Sequence, residues 1–200
     1  AKFPLQPHLP LGECLRESWS NRSLRALLLS GSLFAFSAAG FMPYVANAAT
    51  EWGISGSSFL WPQALSAIVT RLLFGGWVDR YGKKLLFPSF FCIALGTMIS
   101  MIGGTACTFV IGGLLHGLGM GLTYPLLYSL IARASDERSR TALFTLFGTF
   151  IDLLWAVAPL AAAALAQALG FGTVLRGSSL LIAGFVAWMG YAVWPWLGDG

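Results

Sequence analysis

Gly75-Gly76-Trp77-Val78-Asp79-Arg80-Tyr81-Gly82-Lys83-Lys84 lies between two long apolar runs. One acid, three bases and three glycines crowd into ten positions, in a chain in which only 10% of residues are charged. Physical chemistry assigns each a part. Gly75 lets two helices come close. Asp79, at the end of one helix and near the start of the next, can favour an exposed helix N-terminus, where free N–H groups attract negative charge. Gly82 permits the tight turn of a three- or four-residue connection. Arg80, Lys83 and Lys84 stay in water and mark one side of a membrane.

Composition explains why a membrane is invoked. The chain is 56% hydrophobic and 14% aromatic, whereas ordinary soluble domains are about 25% charged. A soluble domain of 200 residues could not hide so much apolar surface; lipid as the outer solvent removes the difficulty. Six apolar runs lie near Leu24–Ala49, Ser57–Val78, Leu85–Gly103, Cys107–Ala132, Thr141–Leu169 and Val174–Trp196. Each is long enough to cross about 30 Å of hydrocarbon as a helix rising about 1.5 Å per residue. The links are short, so successive helices are antiparallel neighbours.

Lys2, Arg16, Arg22, Arg25, Arg80, Lys83, Lys84, Arg133, Arg138 and Arg140 fall at the N-terminus and in even-numbered loops. The other side carries only Arg176, and Arg71 lies inside a run. That asymmetry predicts that both termini are cytoplasmic. The net charge of +4 is scattered over separate loops and forms no continuous stripe, so nucleic acid is not an expected partner.

Residues 1–23 read as a cytoplasmic linker and residues 24–197 as the membrane bundle. Pro4, Pro7 and Pro10 favour an extended segment. Leu11, Leu15 and Trp19 then share one helical face, which suits either a short helix on the membrane surface or a solvated linker. No cleavable signal peptide is visible. Cys14, Cys92 and Cys107 have no metal-site spacing and are expected to be free thiols. Trp52, Trp61, Trp194 and Trp196, near run ends, read as interfacial anchors.

The runs form two sets of three. The first of each set contains a glycine closely followed by proline, Gly40 with Pro43 and Gly121 with Pro125. Paired interruptions of this kind point to a substrate pathway between inverted repeats. Gln167-Ala168-Leu169-Gly170-Phe171-Gly172, after the fifth run, is an uncharged counterpart of the Gly75–Lys84 turn. Gly113, Gly117 and Gly121 repeat every fourth residue, the spacing of a close helix-packing seam.

Charges inside apolar runs are costly and draw functional suspicion. Arg71 and Asp152 are such a pair, about 12 Å and about 18 Å from the basic side. They suit either a charge pair that makes and breaks during function or a permanent structural ion pair. His116 suits proton relay by its ordinary pKa, or packing. Tyr124 and Tyr128 share a face with Met120, with Thr123 alongside, and either touch substrate or pack. Tyr44 and Asn47 on the first run and Gln63 on the second are similar candidates. Asp136-Glu137-Arg138-Ser139-Arg140 reads as a solvated loop that caps the fifth helix.

The pattern G-x-x-x-D-R-x-G-K-K at Gly75–Lys84 resembles the loop signature of the major facilitator superfamily, G-x-L-a-D-R-x-G-R-K, with Trp77 in place of leucine. The resemblance covers most of residues 24–196 and is nearer to the C-terminal half of that family. Ser66–Gly75, with Arg71, looks like the eighth helix; Leu115–Gly121 with Pro125 the tenth; Asp152-Leu153 and Pro159 the eleventh. Ala156, Ala158 and Ala163 replace family glycines, and Gly113 stands where many N-terminal halves carry a coupling arginine.

The resemblance implies an all-α membrane protein: six transmembrane helices in a three-plus-three inverted repeat, half of a twelve-helix fold. Gly75, Asp79, Arg80, Gly82, Lys83 and Lys84 would form its gating motif, and the helix of His116, Tyr124 and Tyr128 would line its cavity. The implied function is secondary transport of a small molecule by alternating access, proton-coupled efflux being the form expected, in a plasma (bacterial inner) membrane. A second six-helix half, from the same or another chain, would complete the cavity. The other reading is a non-transporting scaffold subunit of a larger membrane complex. No nucleotide-binding loop, catalytic carboxylate pair or metal cluster is apparent, so neither enzymatic activity, cofactor nor metal is expected. Substrate identity is not legible.

Overall fold

The computed structural model describes residues 11–189. The proline-spaced stretch 1–10, the end of the sixth run, Trp194 and Trp196 lie outside the described residues. Within them the elements are α1 (Leu11–Ser20), α2 (Arg22–Phe41), a 3-10 turn at Met42–Tyr44, α3 (Val45–Glu51) and α4 (Ser57–Tyr81). A 3-10 turn at Gly82–Leu85 leads to α5 (Leu86–Gly103), α6 (Ala106–Ala134), α7 (Glu137–Leu169) and α8 (Phe171–Trp188). Five stretches are long and apolar enough to cross a membrane: Arg22–Glu51, Ser57–Ile102, Ala106–Ala134, Glu137–Leu169 and Phe171–Trp188. The second stretch has 46 residues, and the Gly82 turn divides it into α4 and α5.

Helix α6 is the hub. Its glycines present two bare faces to two neighbours. Toward α4, a Cβ on Gly113 would stand 2.5 Å from the Phe59 carbonyl oxygen, and one on Gly121 2.8 Å from that of Ala67. Gly117 between them abuts the Gln63 carbonyl. Phe59, Gln63 and Ala67 also recur every fourth residue, so the two backbones run in register along the seam the glycine spacing predicts. Toward α5, a Cβ on Gly96 would meet the Gly112 carbonyl at 2.5 Å and the His116 nitrogen at 2.6 Å. Gly112 and Gly119 abut Ser100 and the Ser89 carbonyl in turn. This second seam was not foreseen.

Helix α2 packs on α7 and α8, with Gly31 seated against the Phe147 ring. The core divides by depth. Near the basic loops, Leu24, Leu27, Phe34, Phe90, Leu126, Leu127 and Phe147 are fully enclosed. At the other end, Phe41, Phe59, Phe109 and Leu175 form a second cluster.

The two glycine–proline pairs behave differently. At Gly40 and Pro43 the first span breaks into the 3-10 turn and α3. Helix α6 continues unbroken through Pro125. Proline removes one N–H from the ladder, yet α6 is continuous there, as α4 is through Pro62 and α7 through Pro159. Gly121 therefore serves the seam and opens no interruption.

Helix α1 realises the helical reading of its segment. It leans on α2 and α7, Arg25 donates to the Trp19 carbonyl at 3.2 Å, and Leu15 and Trp19 stay exposed. Trp61 is 74% exposed, as an interfacial anchor requires, whereas Trp52 is packed edge-on against Phe109. Asp136 occupies the N-cap position of α7 but its side chain makes no capping bond; its backbone oxygen accepts from Ser139 and Arg140 instead. Cys92 and Cys107 are free thiols.

The seam yields a directional test. Gly117→Ala should lower the unfolding midpoint of the solubilised protein, because the added methyl drives against a backbone carbonyl, an overpacking cost of about 1–3 kcal/mol. Gly184→Ala, on α8 with nothing within 4 Å, should be neutral or raise it, since alanine is the better helix former.

Candidate functional site

The turn after α4 is built as a latch. Gly82 takes φ +50°, closed to other residues without strain, and its N–H closes the last turn of α4 on the Val78 carbonyl. Arg133, from the last turn of α6, lies across it. Its Nη2 donates to the Asp79 backbone oxygen at 3.0 Å, and the Asp79 carboxylate stands 4.0 Å away. The Asp79 side chain is 84% exposed, and an exposed pair at that distance contributes little. Arg133 thus satisfies an orphan carbonyl at the end of α4. A Cβ at position 82 would also reach 3.3 Å from the Arg133 Nη1. Arg80 sits over the Tyr81 ring at 5.4 Å, Lys84 is exposed and Lys83 half-buried.

Gly75 departs from expectation. No described residue comes within 4 Å of a Cβ built there, nor at Gly76. Both lie on an open face of α4.

Asn21 adds a second tie beside the turn. Its side-chain oxygen accepts the Ser23 and Leu24 N–H groups, capping α2. Its Nδ2 donates to the Ala134 carbonyl at 3.2 Å, closing the end of α6. Asparagine is a preferred N-cap, so its position before the first apolar run held the signal for the cap, though not for the bridge.

A second group of residues gathers where α4, α6 and α7 border open space. Helix α7 is the least covered span: 22% of its apolar window is buried, against 56% for α6. Trp155 Nε1 donates to Tyr124 Oη at 3.2 Å. The Tyr124 ring meets Phe34 edge-on at 5.8 Å. Arg71 and Asp152 are both exposed. No ion pair joins them, so the structural ion pair weighed from the sequence is not formed. Tyr128 packs edge-on against Phe144 and Phe147, at 5.4 and 5.3 Å.

Four members of this face were missed in the sequence. Trp155 follows Asp152 by three residues, a same-face helical spacing, and that was its signal. Thr141, Thr145 and Thr149 are exposed on α7 and lead from the basic loops toward Asp152. Thr145 and Thr149 return their hydroxyl protons to carbonyls four residues back, at 3.1 and 2.8 Å, leaving oxygen lone pairs toward the open side.

Other sequence candidates lie apart. His116 is fully buried, with neither ring nitrogen hydrogen-bonded; its imidazole stacks on Phe41 at 6.0 Å and tilts against Phe59 at 5.5 Å. Thr123 is buried and donates to the Gly119 carbonyl at 2.8 Å. Gln63 lends its backbone to the Gly117 seam. Tyr44 donates to the Pro159 carbonyl at 2.8 Å and stacks on Phe171, while Asn47 is exposed. Among the described residues no group of three His, Cys, Asp or Glu side chains could hold a metal ion.

The latch separates two contributions. Arg133→Ala should speed amide exchange in the last turn of α4 and lower the unfolding midpoint, by about 1.5–3 kcal/mol for a charged hydrogen bond at its strongest and less at this exposed site. Asp79→Asn should change stability by about 1 kcal/mol or less, as read by the same melting and exchange measurements.

A family model described as Major Facilitator Superfamily matches residues 27–199. The chain is 29% identical over 149 residues to NiaP of Bacillus subtilis (strain 168), a candidate niacin/nicotinamide transporter; the alignment covers 72% of this chain and 36% of that protein. It is 29% identical over 114 residues to YhcA of the same organism, an uncharacterised MFS-type transporter, covering 55% of this chain and 21% of that protein. The chain therefore matches well under two thirds of the length of either relative. With apolar helices long enough to span a bilayer and this match across most of the sequence, the protein is an integral membrane protein in contact with lipid, and it belongs to the major facilitator superfamily.

Proposed function

We propose that this chain is one six-helix half, of the C-terminal type, of a secondary transporter that moves a small molecule by alternating access. Residues 24–197 form the bundle, a three-plus-three inverted repeat, and residues 1–23 the cytoplasmic linker. The observation that carries the reading is the open face of α4, α6 and α7, where Arg71 and Asp152 are exposed without an ion-pair partner among the described residues and Trp155 donates to Tyr124. A charge in an apolar span that is neither paired nor covered needs water or a partner surface. A second six-helix half supplies both, enclosing a wet cavity against this face.

The open glycines support the same arrangement. An exposed helical glycine costs about 0.5–1 kcal/mol relative to alanine. Gly75 and Gly76 meet nothing within the described residues, which suits a second backbone arriving against α4. Gly75, Asp79, Arg80, Gly82, Lys83 and Lys84 act as the gating motif, with the Arg133 latch holding α4 to α6 as the halves rock.

In this reading Tyr124, Tyr128 and Trp155 contact an aromatic or amphipathic ligand and Arg71 a polar group on it. Asp152 carries the exchanged proton, and export is the direction. Niacin and nicotinamide, the compounds in the description of the Bacillus subtilis relative, are the first ligands to try. Tyr44 and His116 act from behind the cavity wall: Tyr44 steadies α7 at Pro159, and His116 lies in the aromatic cluster behind α6.

Transport of labelled nicotinate and nicotinamide in membrane vesicles, with and without an imposed proton gradient, tests the assignment. Asp152→Asn and Arg71→Gln should each lower the rate at least about tenfold, equivalent to about 1.4 kcal/mol of barrier, with the protein still folded. Asp79→Asn should slow exchange without altering ligand affinity. Unchanged transport in the Asp152 and Asp79 variants would remove the mechanism. A native particle holding one copy among unrelated membrane proteins, with no ligand-dependent stabilisation, would replace transport with the scaffold reading.

A further inference from the structure

The bundle end opposite the basic loops carries a second polar feature, remote from the α4–α6–α7 face. Arg176, one and a half turns into α8, is exposed there. Its guanidinium lies over the Trp52 ring at 5.4 Å from the centroid, a cation–π contact that holds the head in place. The acid of that end is already committed. Glu51 accepts the Phe171 and Gly172 N–H groups at 3.4 and 3.2 Å, capping α8. No ion pair joins Arg176 to a carboxylate among the described residues, so its charge faces outward.

Beneath Arg176 a groove of about 290 Å³ runs between α5 and α8, lined by Met98, Met101, Ile102, Arg176, Ser179 and Leu180. Its rim is apolar and open: Ile102 is 78% and Leu180 66% exposed. The Ser179 hydroxyl donates inward to the Leu175 carbonyl at 2.9 Å, leaving the groove floor without a free donor. The lining is flexible thioether and aliphatic, which moulds to an irregular chain.

We propose that this groove is a binding site for one anionic phospholipid. The phosphate pairs with Arg176 at the interface and the first part of an acyl chain lies along Met98, Met101 and Leu180. Charge complementarity selects the class. A guanidinium held over Trp52 without a carboxylate partner among the described residues attracts a phosphate, and the apolar trough beside it accepts a tail, which a free anion lacks.

The experiment uses the full chain in nanodiscs containing either a phosphatidylglycerol or a phosphatidylcholine with a diazirine in the acyl chain, followed by peptide mapping of the photo-adducts. Phosphatidylglycerol should label the peptides of Met98–Ile102 and Leu180 about fivefold more than phosphatidylcholine, the preference expected of one interfacial cation. Arg176→Gln should erase that preference while adducts near Arg80 and Lys84 persist, and Arg176→Lys should keep part of it. Leu180→Trp, on the lipid-facing rim, should block labelling of Met98–Ile102 and provides the check if the arginine variants do not fold. Equal labelling by the two lipids, or unaltered labelling in Arg176→Gln or Leu180→Trp, overturns the site.

Discussion

Backbone contact along α6 is the constraint on which the rest depends. In lipid, apolar side chains gain little by leaving one hydrocarbon surface for another, so helices associate where their backbones can approach. Gly113, Gly117 and Gly121 admit α4, and Gly112, Gly119 and Gly96 admit α5. Both faces of α6 are occupied at carbonyl distance, and the helix is continuous through Pro125. Arg133 at its end is thereby held over the Gly82 turn, and Tyr124 is presented to the open side. Latch and candidate cavity are both side effects of one tightly clasped helix.

Polar groups follow a complementary rule. Away from water each needs a partner close at hand, and most here find one within their own helix. Thr97, Ser100, Thr123, Ser178 and Ser179 donate to carbonyls three or four residues back. Bonds between helices are fewer and sit at junctions: Asn21 to α6, Ser66 to α6, Trp155 to Tyr124, Tyr44 to Pro159. Arg71 and Asp152 have no ionic partner among the described residues and lie on a surface that those residues leave open, and the buried His116 and Ser30 also lack hydrogen-bond partners there. Two unpaired charges on an open surface argue for function at that surface.

Much of the fold was legible because its causes are local. Apolar length gave the spans, and the Gly82 turn and the Gly113–Gly117–Gly121 seam could be read from spacing alone. The α5 seam was not read: Gly112 and Gly119 share a face of α6 seven residues apart, but their partners Gly96, Ser100 and Ser89 lie on another helix. Pro125 misled because a proline inside a span need not break it: α4 and α7 also run through Pro62 and Pro159. The candidate face was half legible. Arg71, Asp152 and Tyr124 stood out by type, whereas Trp155 looked like any aromatic in an apolar run until α6 placed a phenol opposite its N–H. Arg71 and Asp152 could be placed at depth but not in azimuth, so an ion pair looked natural where the helices leave the two side chains exposed and unpaired.

The break at Met42–Tyr44 has a mechanical consequence. Beyond it, Tyr44 is tied to α7 at Pro159, and Glu51 to the first residues of α8. The lower part of the same span, α2, is instead wedged against α7 by Gly31 and capped at α6 by Asn21. One transmembrane segment thus has two moorings with a joint between them. A displacement of the α7–α8 corner would pull on α3 through Glu51 and on the 3-10 turn through Tyr44 before it reached α2.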